Sequence, residues 1–175
     1  MTAGRRNTNT LSKHWGTPKK YVDSVRHVFG TIHLDPCSNE WSIVNAETEW
    51  SLPNDGLKET WNFPTIYVNP PYGSDPEKGT RILHWLRKCL EANKLYSSQI
   101  IALVPVATNT LHWKECIWKQ ASSICFLYDT RLRFLEQGID RGNGAPMACA
   151  AIYWGNNTSI FEDVFACHGA IVRTV

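Results

Sequence analysis

The stretch Ile66-Tyr67-Val68-Asn69-Pro70-Pro71-Tyr72-Gly73 sets a short apolar strand against an abrupt stop. Proline fixes its own φ and bars the α region to the residue before it, so Asn69 and Pro70 are held extended and the turn is stiff. Neither proline carries an amide hydrogen, so no local donor competes for the neighbouring carbonyls. The turn is a shelf presenting a carboxamide oxygen, a backbone carbonyl and an aromatic ring. It suits a planar ligand with an amino group: two acceptors hold the amine and Tyr72 stacks on the ring. A proline-rich strand exit with Tyr72 packed on the sheet is the plainer alternative.

Outward from that shelf, strands and helices alternate. Tyr21, Val22, Val25, Val28 and Phe29 form a helical stripe over Lys19 to Phe29, opened by Pro18 and stopped by Gly30. Thr31 to Leu34 follows as a short strand ending at Asp35-Pro36, and residues 37 to 60 read as irregular because Asn, Ser, Pro and Gly break every period. Beyond the shelf, Ser74 or Asp75 is placed to cap a helix with Pro76 in its first turn and a buried stripe of Ile82, Leu83, Leu86, Cys89 and Leu90. Ile100 to Val104 is a continuous apolar run of the kind buried on both faces of a parallel sheet. A helix at about Leu111 to Gln120 and strands at Ile124 to Tyr128 and Ala148 to Trp154 come next, with a basic turn, Arg131-Leu132-Arg133-Phe134, and a Gly-rich loop at 138 to 144 between the strands. The alternation predicts an α/β fold, an open, mostly parallel sheet with helices on both faces. Such sheets bind ligands at the carboxyl ends of their strands. Two strands end there in unusual residues: Asp35-Pro36-Cys37-Ser38-Asn39 and the Asn69 shelf.

The 175 residues, 43% hydrophobic and 19% charged, suit one domain whose core needs no disulfide. A net charge of +2 excludes a disordered polyelectrolyte and argues against wholesale phosphate neutralisation. The charge is uneven: five of the 18 basic residues fall in the first 22 positions, before any acid, leaving 13 against 16 acidic residues in the rest. A flexible basic arm over residues 1–14, either a polyanion contact or a solvated tail, followed by a single domain over 15–175 is the expected organisation. The six cysteines are scattered with no CxxC pair, which points to free thiols, a reducing cytoplasmic compartment and no metal site. No apolar run reaches the roughly 20 residues that span a bilayer, and no apolar segment opens the sequence as in a signal peptide. A soluble, unexported protein with no membrane partner is expected.

Taken in order, Trp15-Gly16-Thr17-Pro18, Leu34-Asp35-Pro36-Cys37-Ser38, Asp55-Gly56-Leu57, Asn69-Pro70-Pro71-Tyr72-Gly73, Val104-Pro105-Val106-Ala107-Thr108 and Arg131-Leu132-Arg133-Phe134 make a set that resembles the small phage and prophage Dam-type DNA adenine-N6 methyltransferases. The resemblance implies a Rossmann-like catalytic domain, S-adenosyl-L-methionine as cofactor and DNA as partner. It makes Asn69, Pro70, Pro71 and Tyr72 the catalytic set. Asn69 and the Pro70 carbonyl accept hydrogen bonds from the adenine N6 amine, localise its lone pair and aim it at the sulfonium methyl. Transfer is then an in-line displacement assisted by positioning and electrostatics, with no metal and no covalent intermediate. Because N6 is paired inside a duplex, the target adenine is flipped out or already single-stranded. Tyr72 stacks on it, and Phe134 is either a second ring against the base or a core residue. Arg131 and Arg133 are either phosphate contacts or ordinary surface charge.

For the cofactor, the resemblance gives Asp35 the cationic methionine end and Asp55 the adenine N6, with Leu57 near that ring. Trp15, Thr17 and Pro18 belong to the segment that closes over the methionine moiety, and Cys37 and Asn69 flank the same site. Asp35 before Pro36, Asn54-Asp55-Gly56 and Thr17-Pro18 also read as plain turns and a helix start. Two features depart from the family pattern. A Gly-rich cofactor loop is replaced by Cys37-Ser38-Asn39-Glu40-Trp41, and only 19 residues separate Asp35 from Asp55, too few for the usual strand with flanking helices that carries the ribose-binding acid. Glu47 or Glu49 is the candidate for that acid. Little length remains for a separate target-recognition domain, so base readout falls to the 74–80 loop, the 136–146 loop or the basic arm, or recognition is short or relaxed. The shelf also resembles motifs of methyltransferases acting on protein glutamine or on guanine N2 of RNA. A catalytically silent nucleic-acid-binding or anti-restriction module is a third reading, and a restriction-modification role is a further context.

Overall fold

The structure, a computed structural model, describes residues 15–75, 78–129 and 131–174; the basic arm expected over 1–14 and the place of Pro76 lie outside them. β1 (Trp15–Gly16) leads into α1 (Lys19–Phe29), which buries Tyr21, Val22 and Val25 from the expected stripe and stops at Gly30, where φ is 72°. β2 (Leu34–Asp35), β3 (Thr48–Glu49), β4 (Thr65–Val68), α2 (Ile82–Tyr96) and β5 (Gln99–Pro105) follow. A π-helical turn at Trp113–Ile117 precedes β6 (Ser123–Leu127), and then come β7 (Leu135–Glu136), β8 (Ile139–Asp140), β9 (Cys149–Trp154), α3 (Thr158–Phe165) and β10 (Gly169–Arg173).

Seven strands form one mixed sheet in the order β10-β6-β9-β5-β4-β2-β3, and β1, β7 and β8 form a small second one. Neighbours β3, β2, β4 and β5 are parallel; β9 runs against both β5 and β6, and β10 against β6. The sheet is thus half antiparallel rather than mostly parallel as the sequence predicts, because β9 and β10 run against their neighbours, and the parallel half holds both unusual strand ends.

Alternation along the central strands builds a core on each face. Ile66, Val68, Ile100, Ala102, Val104 and Ile152 pack with α2 and the π-helical turn, whereas Tyr67, Ile101, Leu103, Ala151 and Tyr153 pack with α1 and α3. The apolar run at 100–104 is thus buried on both faces, the environment its composition requires.

Three segments differ from the sequence expectation. Asp75 caps no helix: its N–H donates to the Thr80 carbonyl at 2.8 Å and its Oδ1 accepts from the Lys78 N–H at 3.3 Å. That closes a tight turn through Gly79 at a φ of 63°, and α2 starts only at Ile82. The helix expected at 111–120 is mostly the single wide π-helical turn, held by two indoles that donate back to the loop entering it, Trp113 to the Pro105 carbonyl and Trp118 to the Thr108 carbonyl. The segment 37–60 is not wholly irregular, because β3 lies parallel to β2 with Asp35 opposite Glu49. The crossover between them, residues 36–47, contains no helix. Parallel strands need about a dozen connecting residues, usually helical, and here an irregular loop spans that minimum.

Candidate functional site

β2 and β4 are adjacent and parallel, with Asp35 ending the one and Asn69 just following the other, and both side chains line one cleft. That cleft is narrow and partly open to solvent. Trp15, Gly16 and Thr17 form one wall, Asp35, Cys37, Ser38 and Asn39 another, and the crossover residues Ser42–Val44 a third, with Tyr67 and Asn69 completing it.

The Asn69 amide donates through Nδ2 to the Trp15 carbonyl at 2.9 Å. A carbonyl accepts only from the NH2 half of a carboxamide, so this partner fixes the amide orientation and leaves Oδ1 as an acceptor facing the other way. Thr17 is buried, and its hydroxyl meets the Tyr67 hydroxyl at 2.6 Å. Burial pushes the Tyr67 phenol far up, although the Thr17 contact opposes this, so it stays a neutral hydrogen-bonding group. Pro70 is buried and Pro71 half-buried. Tyr72 is half-buried; its hydroxyl donates to the Leu103 carbonyl at 3.0 Å, and burial pushes its pKa up. Its ring stands edge-on to Trp15, with centroids 6.2 Å apart, and to Phe134 at 5.6 Å. Trp15 and Phe134 stack face to face at 4.9 Å, with Phe134 only 4% exposed. Phe134 thus occupies the core side of its two sequence alternatives.

Asp35 is buried, and its Oδ1 accepts the Cys37 N–H at 3.1 Å. Burial pushes its carboxyl up to about 7, with the nearby Glu49 charge adding to the rise and hydrogen bonds from Cys37 opposing it. No cationic side chain among the described residues offsets that rise. The Cys37 thiol is likewise pushed up, by burial first and by Asp35 second, which makes it a neutral wall rather than a nucleophile. Glu49 ends β3 beside Asp35, its carboxylate accepting from the Ser38 hydroxyl at 2.8 Å and the Ala46 N–H at 3.0 Å. The Glu47 carboxylate makes no comparable contact among the described residues, so Glu49 is the acid the fold turns toward the cleft-lining Ser38.

Asp55 and Leu57 lie beside this site without lining the cleft. Between them Gly56 packs directly on the Pro36 carbonyl, with no room for a Cβ, which sets the 55–57 turn against the 35–37 turn. Asp55 closes its own turn by accepting the Leu57 N–H at 3.2 Å, and its other oxygen is 3.5 Å from Lys78 Nζ. Pro18 occupies the N-cap of α1 and is not part of the wall. Arg131 and Arg133 are both exposed; Arg131 donates to the Ala145 carbonyl at 3.3 Å, and Arg133 stands 4.0 Å from Asp140. Among the described residues no group of three His, Cys, Asp or Glu side chains is placed to hold a metal ion, and no helix is long and apolar enough to cross a membrane.

Of the residues expected from sequence, the fold gathers Trp15, Thr17, Asp35, Cys37 and Asn69 around one cleft, with Tyr72 and Phe134 joined to it through Trp15. Ser38 and Asn39 belong to the stretch that stands in place of a Gly-rich loop, whereas Tyr67 and the crossover residues 42–44 carry no signal in the sequence. Tyr67 sits inside an apolar strand, where its hydroxyl carries no pattern, and the crossover has no period at all.

A family model described as DNA N-6-adenine-methyltransferase (Dam) matches residues 5–161 of the chain. No curated protein and no solved structure matches it.

Proposed function

The chain belongs to the DNA N-6-adenine-methyltransferase (Dam) family, and from that premise we propose that the cleft binds S-adenosyl-L-methionine and that the Asn69–Tyr72 shelf presents the N6 amine of a flipped or single-stranded adenine to it. The observation that carries this reading is the pairing, at adjacent strand ends, of a buried carboxylate lacking a cation with a carboxamide whose orientation is fixed. The donor set fits the cofactor. Asp35 suits an ammonium group, and Glu49, one strand over, suits ribose hydroxyls. Asp55 and Leu57, pressed against the 35–37 turn by Gly56, stand where the adenine end would extend, and Thr17 and Pro18 flank the methionine end. The fold is read as Rossmann-like on the same grounds, with its ligand at the carboxyl ends of the parallel strands.

The cofactor supplies an electrophilic methyl group on a sulfonium. The chain supplies position and polarity. Asn69 Oδ1 and the Pro70 carbonyl accept the two amine protons, which draws the nitrogen lone pair out of the ring and directs it along the transfer axis. Tyr72, anchored at its hydroxyl, offers a fixed ring edge and face that offset part of the cost of unstacking the base. Arg131 and Arg133 are proposed phosphate contacts, and residues 15–175 are proposed to act as one catalytic domain with target readout on its loops. A cytoplasmic role in a phage or prophage setting accords with this reading.

The test is methyl transfer from labelled cofactor to separate pools of DNA, RNA and protein, followed by mapping of methylated adenines in plasmid DNA. Label in DNA adenine, lost in Asn69→Ala with cofactor binding largely kept, is the expected result. Label confined to RNA or protein, or normal DNA methylation by the Ala variant, overturns it.

A further inference from the structure

We propose that the backbone carbonyl of Trp15 is a positioning group for methyl transfer: it selects a carboxamide at position 69, fixes which way that amide faces, and ties this orientation to the seating of the β1 segment on the cleft. The inference rests on the functional reading above, since it takes Asn69 as the acceptor of the target amine.

A free carboxamide samples two opposed orientations about its terminal torsion, because that torsion is broad and roughly two-fold. In one of them the NH2 group would face the adenine amine, donor against donor. The Trp15 carbonyl, 2.9 Å from Nδ2, admits only the other. Three contacts hold that carbonyl in place. The Trp15 ring stacks on Phe134 at 4.9 Å, β1 pairs with β7 through Trp15 opposite Glu136, and the neighbouring Thr17 hydroxyl meets Tyr67 at 2.6 Å. Gly16 brings the two strands close: a Cβ there would stand 3.3 Å from the Leu135 Cβ. Trp15, Gly16 and Thr17 also wall the cleft, so whatever fills the cleft and whatever orients Asn69 share one element.

A carboxylate at position 69 would set two acceptors against a carbonyl. A protonated carboxyl, in contrast, donates from one oxygen and accepts on the other, as the amide does. The Asn69→Asp variant is therefore expected to be active only in its protonated form. Above the pKa of the introduced group, its rate relative to the wild type should rise about tenfold for each unit the pH falls.

The experiment measures methylation of DNA adenine by the wild type, Asn69→Asp and Asn69→Ala from about pH 6 to about pH 8. A ratio of Asp variant to wild type that climbs as pH falls, beside an Ala variant that stays inactive throughout, supports the proposal. A flat ratio overturns it while the functional reading stands. A wild type that methylates no adenine overturns the functional reading itself. A second measurement is independent of turnover and of any variant's folding: scalar coupling through the hydrogen bond between Asn69 Nδ2 and the Trp15 carbonyl carbon in isotope-labelled wild-type protein. Its presence supports the proposal, and its absence refutes it.

Discussion

Binding of the cofactor is expected to expel a proton from Asp35. In the free protein, burial pushes this carboxyl up to about 7, so at pH 6 about nine-tenths of the molecules carry the proton. An ammonium seated against Asp35 favours the carboxylate, and the proton leaves as the ligand binds. About 0.9 proton should be released per molecule bound at pH 6, where an α-amino group with an ordinary pKa of about 7.7–8.0 is already protonated and contributes little. Calorimetric titration at that pH in buffers of different ionisation enthalpy reads the number as the slope of observed heat against buffer heat. Asp35→Asn should bring the slope close to zero. An equal slope in both proteins, or none in the wild type, would refute the assignment of Asp35 to the ammonium end. The same shift has a signature without ligand. Between about pH 4 and pH 7 the folded state holds a proton that the unfolded chain has released, so stability falls as pH rises through this window. The total is of order 4 kcal/mol, and Asp35→Asn should flatten it in urea unfolding followed across pH.

Other substitutions separate packing from function. Gly56→Ala forces a Cβ into the Pro36 carbonyl, so the two cofactor-side turns must part; a loss of about 1–3 kcal/mol in urea unfolding and weaker cofactor binding are expected, and an unchanged midpoint would show that the turns are not in register. Phe134→Ala should cost about 3–5 kcal/mol, as befits a ring 4% exposed and stacked on Trp15; a much smaller loss would return Phe134 to the role of a free base platform. Arg131→Gln and Arg133→Gln should each lower the slope of log DNA affinity against log salt by about 0.9 if they touch duplex phosphates. An unchanged slope would assign them to ordinary surface charge.

The legible parts of the fold were those written locally. Each apolar run, of β4, β5 and β9, is contained within a few consecutive residues, as is the proline stop just after Val68, and the stripe of α1 runs directly into its terminal Gly30. The less legible parts depend on partners distant in sequence. A two-residue strand such as β3 has no period to detect, so Glu47 and Glu49 could be told apart only by the ladder that sets Glu49 opposite Asp35. The β7–β8 hairpin turns through Gln137 and Gly138, both at positive φ, of 54° and 76°. Glutamine is an unusual residue there, so the Asn-Gly or Asp-Gly signal of such a turn is missing. Asp75 carried a helix-cap signature but spends its side chain on a turn. The Asn69 shelf was readable as a pair of acceptors; its orienting partner, 54 residues away in the chain, was not.

The two margins of the seven-stranded sheet are unequal. On the cleft side it ends in β3, too short to template another strand. On the far side it ends in β10, five residues long, with Val172 39% exposed and one row of backbone groups unpaired among the described residues. Such a margin invites edge-to-edge association unless charge blunts it. Arg173, locked onto Glu162 of α3 at 2.7 Å, supplies that charge. This margin stands four places along the sheet from β4, the strand that leads into Asn69, so the edge and the shelf share no strand.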